Sequence, residues 1–140
     1  MLQELRENHQ IVIEHQLIVN DERGYREYIL SHSNYSLGKA ARADIRLYTQ
    51  SPVVAPHHAT LMLLRENGTS SYQLVKEELS GVLHQQGLLV NGNQIQTHLL
   101  KDGETITFAP IVIATYHYTR RIELLPDFDG CILFDPKIVS

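Results

Sequence analysis

The sequence predicts an all-β domain built as a sandwich or barrel, and three observations support this prediction. Apolar and polar residues alternate along several short segments, which is the two-residue period of a strand with one buried face. Turn-forming dipeptides separate these segments at close spacing, as in small all-β domains. Helix-like composition is confined to residues 2–8 and 75–83, and neither segment is long enough to anchor an α/β fold.

The first predicted strand and the first predicted hairpin illustrate the pattern. In the strand, apolar side chains alternate with polar ones at Ile11, Ile13, Leu17 and Val19. Further along, residues 59–64 and 71–75 flank the dipeptide Asn67-Gly68. Because Asn-Gly tolerates positive φ and closes tight hairpins, we predict that these two segments pair.

The second half of the chain repeats these signals. Hairpin dipeptides recur at Asn91-Gly92 and at Asp102-Gly103. Residues 105–108 and 111–116 are rich in β-branched and aromatic side chains, and Pro110 interrupts them. We therefore predict two more strands with a break at the proline.

Composition indicates a globular protein and disfavours several classes of partner. Of the 140 residues, 43% are hydrophobic and 20% are charged, and the formal charge is −4 with no concentration of Lys or Arg, so nucleic acid is not an expected partner. Cys131 is the single cysteine, which rules out an intramolecular disulfide and is typical of a reducing compartment. No signal-like segment and no membrane-length apolar run occur, so we expect a cytoplasmic protein without membrane insertion.

Five short motifs follow one another along the chain. They are YSLGK at 35–39, DIRL at 44–47, APHHA at 55–59, QGLLVNG at 86–92 and LKDGETITF at 100–108. No single motif is specific, but the ordered series resembles the forkhead-associated (FHA) domain, and it looks most like the short, stand-alone FHA proteins of photosynthetic bacteria.

The resemblance implies a fold and a domain organisation. It implies a sandwich of two twisted, mainly antiparallel sheets with about eleven strands, covering residues 15–118. Residues 1–14 and 119–140 would be extensions, and the apolar and acidic C-terminal extension is expected to dock on its own domain or on a partner.

In the FHA family, loops at one end of the sandwich bind a phosphothreonine peptide, and this sequence departs from the family pattern at several of those positions. Lys39 replaces the family arginine, which keeps the charge but loses the planar fork that grips two phosphate oxygens. Ala55 replaces a serine, and the lost hydroxyl corresponds to about 1.5–3 kcal/mol, or roughly tenfold to a hundredfold in affinity. Gln86 replaces the asparagine that orients the peptide backbone, and its extra methylene displaces the amide.

Neighbouring residues complete the degenerate phosphothreonine site that the resemblance implies. Gln85 takes a position that often supplies a small hydroxyl or a backbone contact, and His57 could supply a replacement donor. Lys39 and the two glutamines could equally be solvated loop residues. The resemblance gives structural roles, in bracing the loops, turning the chain or packing, to His58, Gly38, Gly87, Asn91 and Gly92.

The sequence therefore predicts a non-catalytic protein–protein interaction module, an adaptor or scaffold, whose phosphothreonine binding is weakened or lost. Its partner would be another protein, including one with a phosphothreonine segment, and a homo-oligomer is compatible with the sequence. No cofactor is expected, and no metal either, because adjacent residues such as His57 and His58 point to opposite faces of a strand.

Three alternative functions remain open at this level. In the first, Lys39, His57 and Gln86 substitute adequately and the protein is a functional phosphothreonine reader. In the second, Cys131 and some of the eight histidines form a thiol–imidazole catalytic pair, although Cys131 lies in an apolar segment without a catalytic motif. In the third, the protein is a structural subunit that inserts residues 119–140 into a partner.

Overall fold

The computed structural model describes residues 9–77 and 87–124, and within these residues the chain forms eleven β-strands and no helix. The strands are β1 His9–Asp21, β2 Gly24–Leu30, β3 Asn34–Gly38, β4 Ile45–Arg46, β5 Ala59–Glu66, β6 Thr69–Lys76, β7 Leu88–Val90, β8 Asn93–Ile95, β9 Thr97–Leu99, β10 Thr105–Ala109 and β11 Val112–Leu124. The predicted all-β fold is confirmed.

The strands form two sheets. A six-stranded sheet has the order β2-β1-β11-β10-β7-β8, and a five-stranded sheet has the order β4-β3-β5-β6-β9. Pairing is mainly antiparallel, and β3 and β4 form a short parallel pair with Leu37 opposite Ile45. This is the two-sheet sandwich that the resemblance implies.

Backbone contacts divide the chain into two units, one of which is His15–Tyr118, while the described residues 9–14 and 119–124 belong to the other. The core of the unit His15–Tyr118 follows the predicted alternation, because Leu17 and Val19 on β1 are fully buried. Other fully buried side chains of this core include Leu37, Ile45, Leu61, Tyr72, Leu74, Ile106 and Phe108.

The described residues of the other unit, 9–14 and 119–124, include exposed apolar side chains. Ile11 was predicted on a half-buried face, but its side chain is 53% exposed. β11 ends at Leu124, which is 72% exposed. Within this unit the Gln10 Nε2 amide donates to Glu123 Oε1 at 3.5 Å.

Two of the three predicted hairpins are confirmed. At Asn67-Gly68 both residues have positive φ, and β5 pairs with β6 across the turn. At Asn91-Gly92 both residues again have positive φ, and β7 pairs with β8.

The third predicted hairpin, at Asp102-Gly103, is wrong. Gly103 does have a positive φ of 84°, so the chain turns there. However, β9 before the turn pairs with β6 in the five-stranded sheet, whereas β10 after it pairs with β7 and β11 in the six-stranded sheet. The turn therefore passes the chain from one sheet to the other.

Several predictions fall outside the described residues. They concern the helix-like segment 2–8, Gln85, Gln86, Cys131 and the docking of residues 125–140. Of the other helix-like segment, 75–83, the first two residues lie in β6. Among the residues that the structure does describe, no helix is long and apolar enough to cross a lipid bilayer.

Candidate functional site

The end of β3 and the loop between β4 and β5 lie against each other. Lys39 N donates to Ala55 O at 3.0 Å, and Ala40 N donates to Pro56 O at 3.1 Å. This approach requires a glycine at position 38, because a Cβ built there would lie 1.9 Å from Pro56 O. Gly38 therefore brings Lys39 and Ala55 together, as two of the predicted site residues.

The side chain of Lys39 is hydrogen-bonded to the loop between β4 and β5. Its Nζ donates to the carbonyl oxygen of Ser51 at 2.8 Å. The same side chain lines a pocket together with Arg46 and Tyr48. The ammonium group is thus partly satisfied by a backbone carbonyl, and it keeps capacity for further acceptors.

Ala55 offers little to an incoming phosphate. The residue is 7% exposed, and its side chain is a methyl group. Its backbone N–H donates to Nδ1 of His58 at 3.0 Å. Both the side chain and the N–H of this position are therefore unable to donate to a ligand unless the loop rearranges.

His58 ties the loop to β3. Its ring is 1% exposed and packs edge-on against Phe108, with 5.5 Å between ring centroids, while its backbone N–H donates to Leu37 O at 2.8 Å. Burial, reinforced by the charge of Lys76, lowers the pKa of His58 to about 4. Because Nδ1 accepts a hydrogen bond, the neutral ring carries its proton on Nε2, which has no acceptor among the described residues.

His57 lies in a different environment from its neighbour. It is exposed, and its Nε2 is 2.9 Å from Thr60 Oγ1 and 3.8 Å from Glu77 Oε2. Thr60 Oγ1 donates its proton to Glu77, so it accepts from His57. His57 lines a recess with Arg42, which is not the pocket lined by Lys39. In the described part of the chain, no three His, Cys, Asp or Glu side chains are grouped as a metal site requires.

The predicted turn residues connect strands at the edge of the six-stranded sheet. Asn91 Oδ1 accepts from Thr105 N at 3.0 Å, and Asn91 N donates to Thr105 O at 2.8 Å. A Cβ at Gly87 would lie 2.9 Å from the side chain of Gln94. These contacts pack and orient the strands on either side of the turn.

Sequence reasoning missed a polar cluster that borders the pocket of Lys39. The buried carboxylate of Asp21 accepts from Arg26 Nη1 at 3.0 Å, from Arg26 Nη2 at 2.8 Å, from Tyr48 N at 2.8 Å and from Arg23 N at 2.9 Å. Burial by itself would raise the pKa of Asp21. The hydrogen bonds lower the pKa by more than burial raises it, so the pKa lies below its usual range.

No local sequence motif predicts this cluster, because Asp21 and Tyr48 are 27 residues apart. The only signal in the sequence is weak: Arg23 and Arg26 lie on either side of Gly24, and Arg46 lies in the motif DIRL. Their convergence depends on the pairing of strands in the folded chain.

A two-sheet β-sandwich whose loops converge at one end is typical of a class of protein-interaction domain in which the sheets form the scaffold and the loops form the site. Residues 35–109 match the family model of the FHA domain. The Slr1951 protein from Synechocystis sp. is 33% identical to this chain, with a TM-score of 0.67, over 76% of this chain and 99% of that protein. The chain belongs to the FHA domain family.

More distant solved structures share the fold. The FhaA FHA domain complexed with the intracellular domain of Rv3910 is 22% identical, with a TM-score of 0.56, over 74% of this chain and 99% of that domain. The yeast Dun1 FHA domain in complex with a doubly phosphorylated peptide derived from Rad53 is 17% identical, with a TM-score of 0.57, over 76% and 75% of the two chains. No curated protein matches the sequence. FHA domains mediate protein interactions through phosphopeptides.

Proposed function

We propose that this chain is a non-catalytic FHA interaction module whose affinity for ordinary phosphothreonine peptides is strongly reduced. The observation that supports this proposal best is the hydrogen bond from Lys39 Nζ to Ser51 O at 2.8 Å, next to an alanine at position 55. A phosphate at this position would share the ammonium group with that carbonyl, which holds the lysine side chain toward Ser51, and it would find no serine hydroxyl at position 55.

The expected loss follows from these two positions. A hydrogen bond to a charged group contributes about 1.5–3 kcal/mol, so the absent hydroxyl alone weakens binding by roughly tenfold to a hundredfold. Lysine adds a second loss, because a point charge cannot reproduce the two parallel hydrogen bonds of a guanidinium. His57 offers limited compensation, since its Nε2 already donates to Thr60.

The partner is proposed to be a segment of another protein. The FhaA and Dun1 FHA domains are complexed, respectively, with an intracellular domain and with a phosphorylated peptide. The same class of partner suits loops held on a rigid sandwich.

The test compares the unmodified protein with a variant that restores the family residues. Lys39→Arg, Ala55→Ser and Gln86→Asn are combined, and binding to a phosphothreonine peptide library is measured by isothermal titration calorimetry. We expect weak or undetectable binding by the unmodified protein and a gain of at least about tenfold in the triple variant. Lys101→Arg, at an exposed lysine before the β9–β10 turn, is the matched control and should bind as the unmodified protein does.

Two results would contradict the proposal. Micromolar binding by the unmodified protein that disappears on dephosphorylation of the peptide would identify a functional phosphothreonine reader. No gain in the correctly folded triple variant would show that these three side chains are not the cause of weak binding.

A further inference from the structure

Lys39 also lines a pocket that the family resemblance does not describe. This pocket has a volume of about 430 Å³ and lies between the β1–β2 turn and the segment that follows β4. Glu22 and Arg23 come from the turn, Arg46 is the last residue of β4, and residues 47–50 come from the segment that follows it. We call it the arginine pocket.

The arginine pocket is positive although the protein is acidic. Its lining has three cationic side chains, Arg23, Lys39 and Arg46, and one carboxylate, Glu22, which together give a net charge of +2. The whole chain has a formal charge of −4. A concave surface with locally unbalanced positive charge attracts anions.

The guanidinium groups of three arginines lie over the aromatic ring of Tyr48. Their Cζ atoms lie 4.4 Å, 4.9 Å and 4.7 Å from the ring centroid for Arg23, Arg26 and Arg46, respectively. Arg26 is neutralised by its bidentate ion pair with Asp21. Among the described residues, neither of the other two arginines forms an ion pair, so Arg23 and Arg46 lie over the ring and line the pocket without direct neutralisation.

The guanidinium groups also keep free donors. Arg46 uses its Nε to donate to Lys39 O at 3.1 Å, and no described residue accepts from its two terminal nitrogens. The side chain of Arg23 makes no hydrogen bond to a described residue. Stacking on an aromatic face restricts both side chains in advance, which lowers the entropy lost when they bind a ligand.

The carboxylate in the lining is engaged in holding the loop. Glu22 Oε2 accepts from Thr49 Oγ1 at 2.6 Å and from Gln50 N at 2.8 Å. Tyr48 is fixed in turn by the hydrogen bond from its backbone N–H to Asp21. The walls of the pocket are therefore preformed.

We propose that the arginine pocket binds an oxyanion, a phosphate or a carboxylate, carried by a segment of the partner protein. Arg23 and Arg46 donate to the oxyanion, and Lys39 contributes charge at the same site. A guanidinium pairs with either group through two parallel N–H···O hydrogen bonds. This inference rests on the proposed function, because it requires a protein partner. The anion would be bound near the β1–β2 turn instead of beside Ala55, where the family resemblance places the phosphate.

The test is a titration of the 140-residue chain, followed by amide chemical shifts in low-salt buffer. Phenyl phosphate is the phosphate probe, and acetate is the carboxylate probe. We expect saturable shifts at Arg23 and at residues 47–50, and weaker binding at higher ionic strength. Saturation by phenyl phosphate alone would indicate a phosphorylated partner segment, and saturation by acetate would indicate an acidic one.

Variants at Arg23 make the test specific. Arg23→Gln should raise the dissociation constant by roughly threefold to tenfold, and Arg23→Lys should lie between it and the unmodified protein. Arg23 is exposed, so the fold should tolerate both changes. The matched control is Arg65→Gln, at an exposed arginine near the other end of β5, which should leave the dissociation constant unchanged.

The inference is overturned if neither probe gives saturable shifts around Arg23, or if Arg23→Gln binds as tightly as the unmodified protein. These readouts are separate from those of the proposed function. Tight phosphothreonine binding with shifts confined to Ala55 and His57 would defeat the proposed function, whatever the small probes do at Arg23.

Discussion

Gly38 is the residue on which the geometry of the candidate site depends most directly, and Gly38→Ala tests that dependence. A Cβ at this position would lie 1.9 Å from Pro56 O, 2.5 Å from Pro56 C and 2.9 Å from the Cα of His57. All three are backbone atoms, so no side-chain rotation relieves the clash. The strand end and the loop must move apart.

The cost has two parts. Forcing a methyl group into a close-packed contact costs about 1–3 kcal/mol. The separation also stretches the hydrogen bonds from Lys39 N to Ala55 O and from Ala40 N to Pro56 O, which are 3.0 Å and 3.1 Å long. At about 1 kcal/mol each, their loss brings the expected decrease in the free energy of unfolding to about 3–5 kcal/mol.

The matched control is Gly68→Ala in the β5–β6 hairpin. Gly68 has a φ of 77°, and no atom lies within 4 Å of a Cβ built there. Its cost is therefore the backbone strain of a left-handed residue, about 1–2 kcal/mol. Comparison of the two variants separates a steric requirement for glycine from a conformational one.

Urea denaturation with linear extrapolation measures both variants against the unmodified protein. We expect Gly38→Ala to lose more unfolding free energy than Gly68→Ala and to shift the backbone amide resonances of Lys39 and Ala55. A loss at Gly38 no larger than the loss at Gly68 would refute the reasoning, because it would mean that the two segments are not in close contact.

Three further predictions concern stability. The pKa of His58 is lowered from 6.5 to about 4 by burial, so the stability that depends on its neutral ring is fully present above pH 6.5 and is lost as pH falls toward 4. The loss of unfolding free energy approaches about 3 kcal/mol, and His58→Gln should make the unfolding free energy less dependent on pH. Asp21→Asn removes a buried carboxylate from its arginine partner and should cost about 3 kcal/mol in urea denaturation, whereas Glu27→Gln, at an exposed position, should cost less than about 1 kcal/mol. The Nε2 atom of the buried His15 lies 3.0 Å from Ser70 Oγ, and Ser70→Ala removes this hydrogen-bond partner. The substitution should lower the thermal midpoint by an amount equivalent to about 1–2 kcal/mol, and an unchanged midpoint would show that the contact does not stabilise the fold.

Local sequence signals predicted the turns better than they predicted what each turn connects. Asn67-Gly68 and Asn91-Gly92 close hairpins as predicted, because their positive φ values fit the twist of paired strands. Asp102-Gly103 carries the same local signal and is also a turn. The strands on either side of it, β9 and β10, belong to different sheets. The turn dipeptide does not determine which strand β9 or β10 pairs with.

In the candidate site, too, some features could be predicted from the sequence and others could not. The motif order predicted that position 39 lies beside the loop containing Ala55, and the backbone hydrogen bond between them agrees. The direction of the Lys39 side chain, toward Ser51, could not be predicted, because several acceptors are within reach of a flexible lysine. The assignments to Gln85 and Gln86 stay predictions.

The sequence by itself determined the β-strand periodicity, the positions of three turns and the family to which the chain belongs, because each of these depends on residues close together in the chain or on an ordered set of motifs. Only the tertiary structure decided that Tyr48 lies among three arginines and that Asp21 neutralises one of them. These contacts join the β1–β2 turn to the segment after β4, and strand pairing across the fold, rather than local composition, sets which side chains meet.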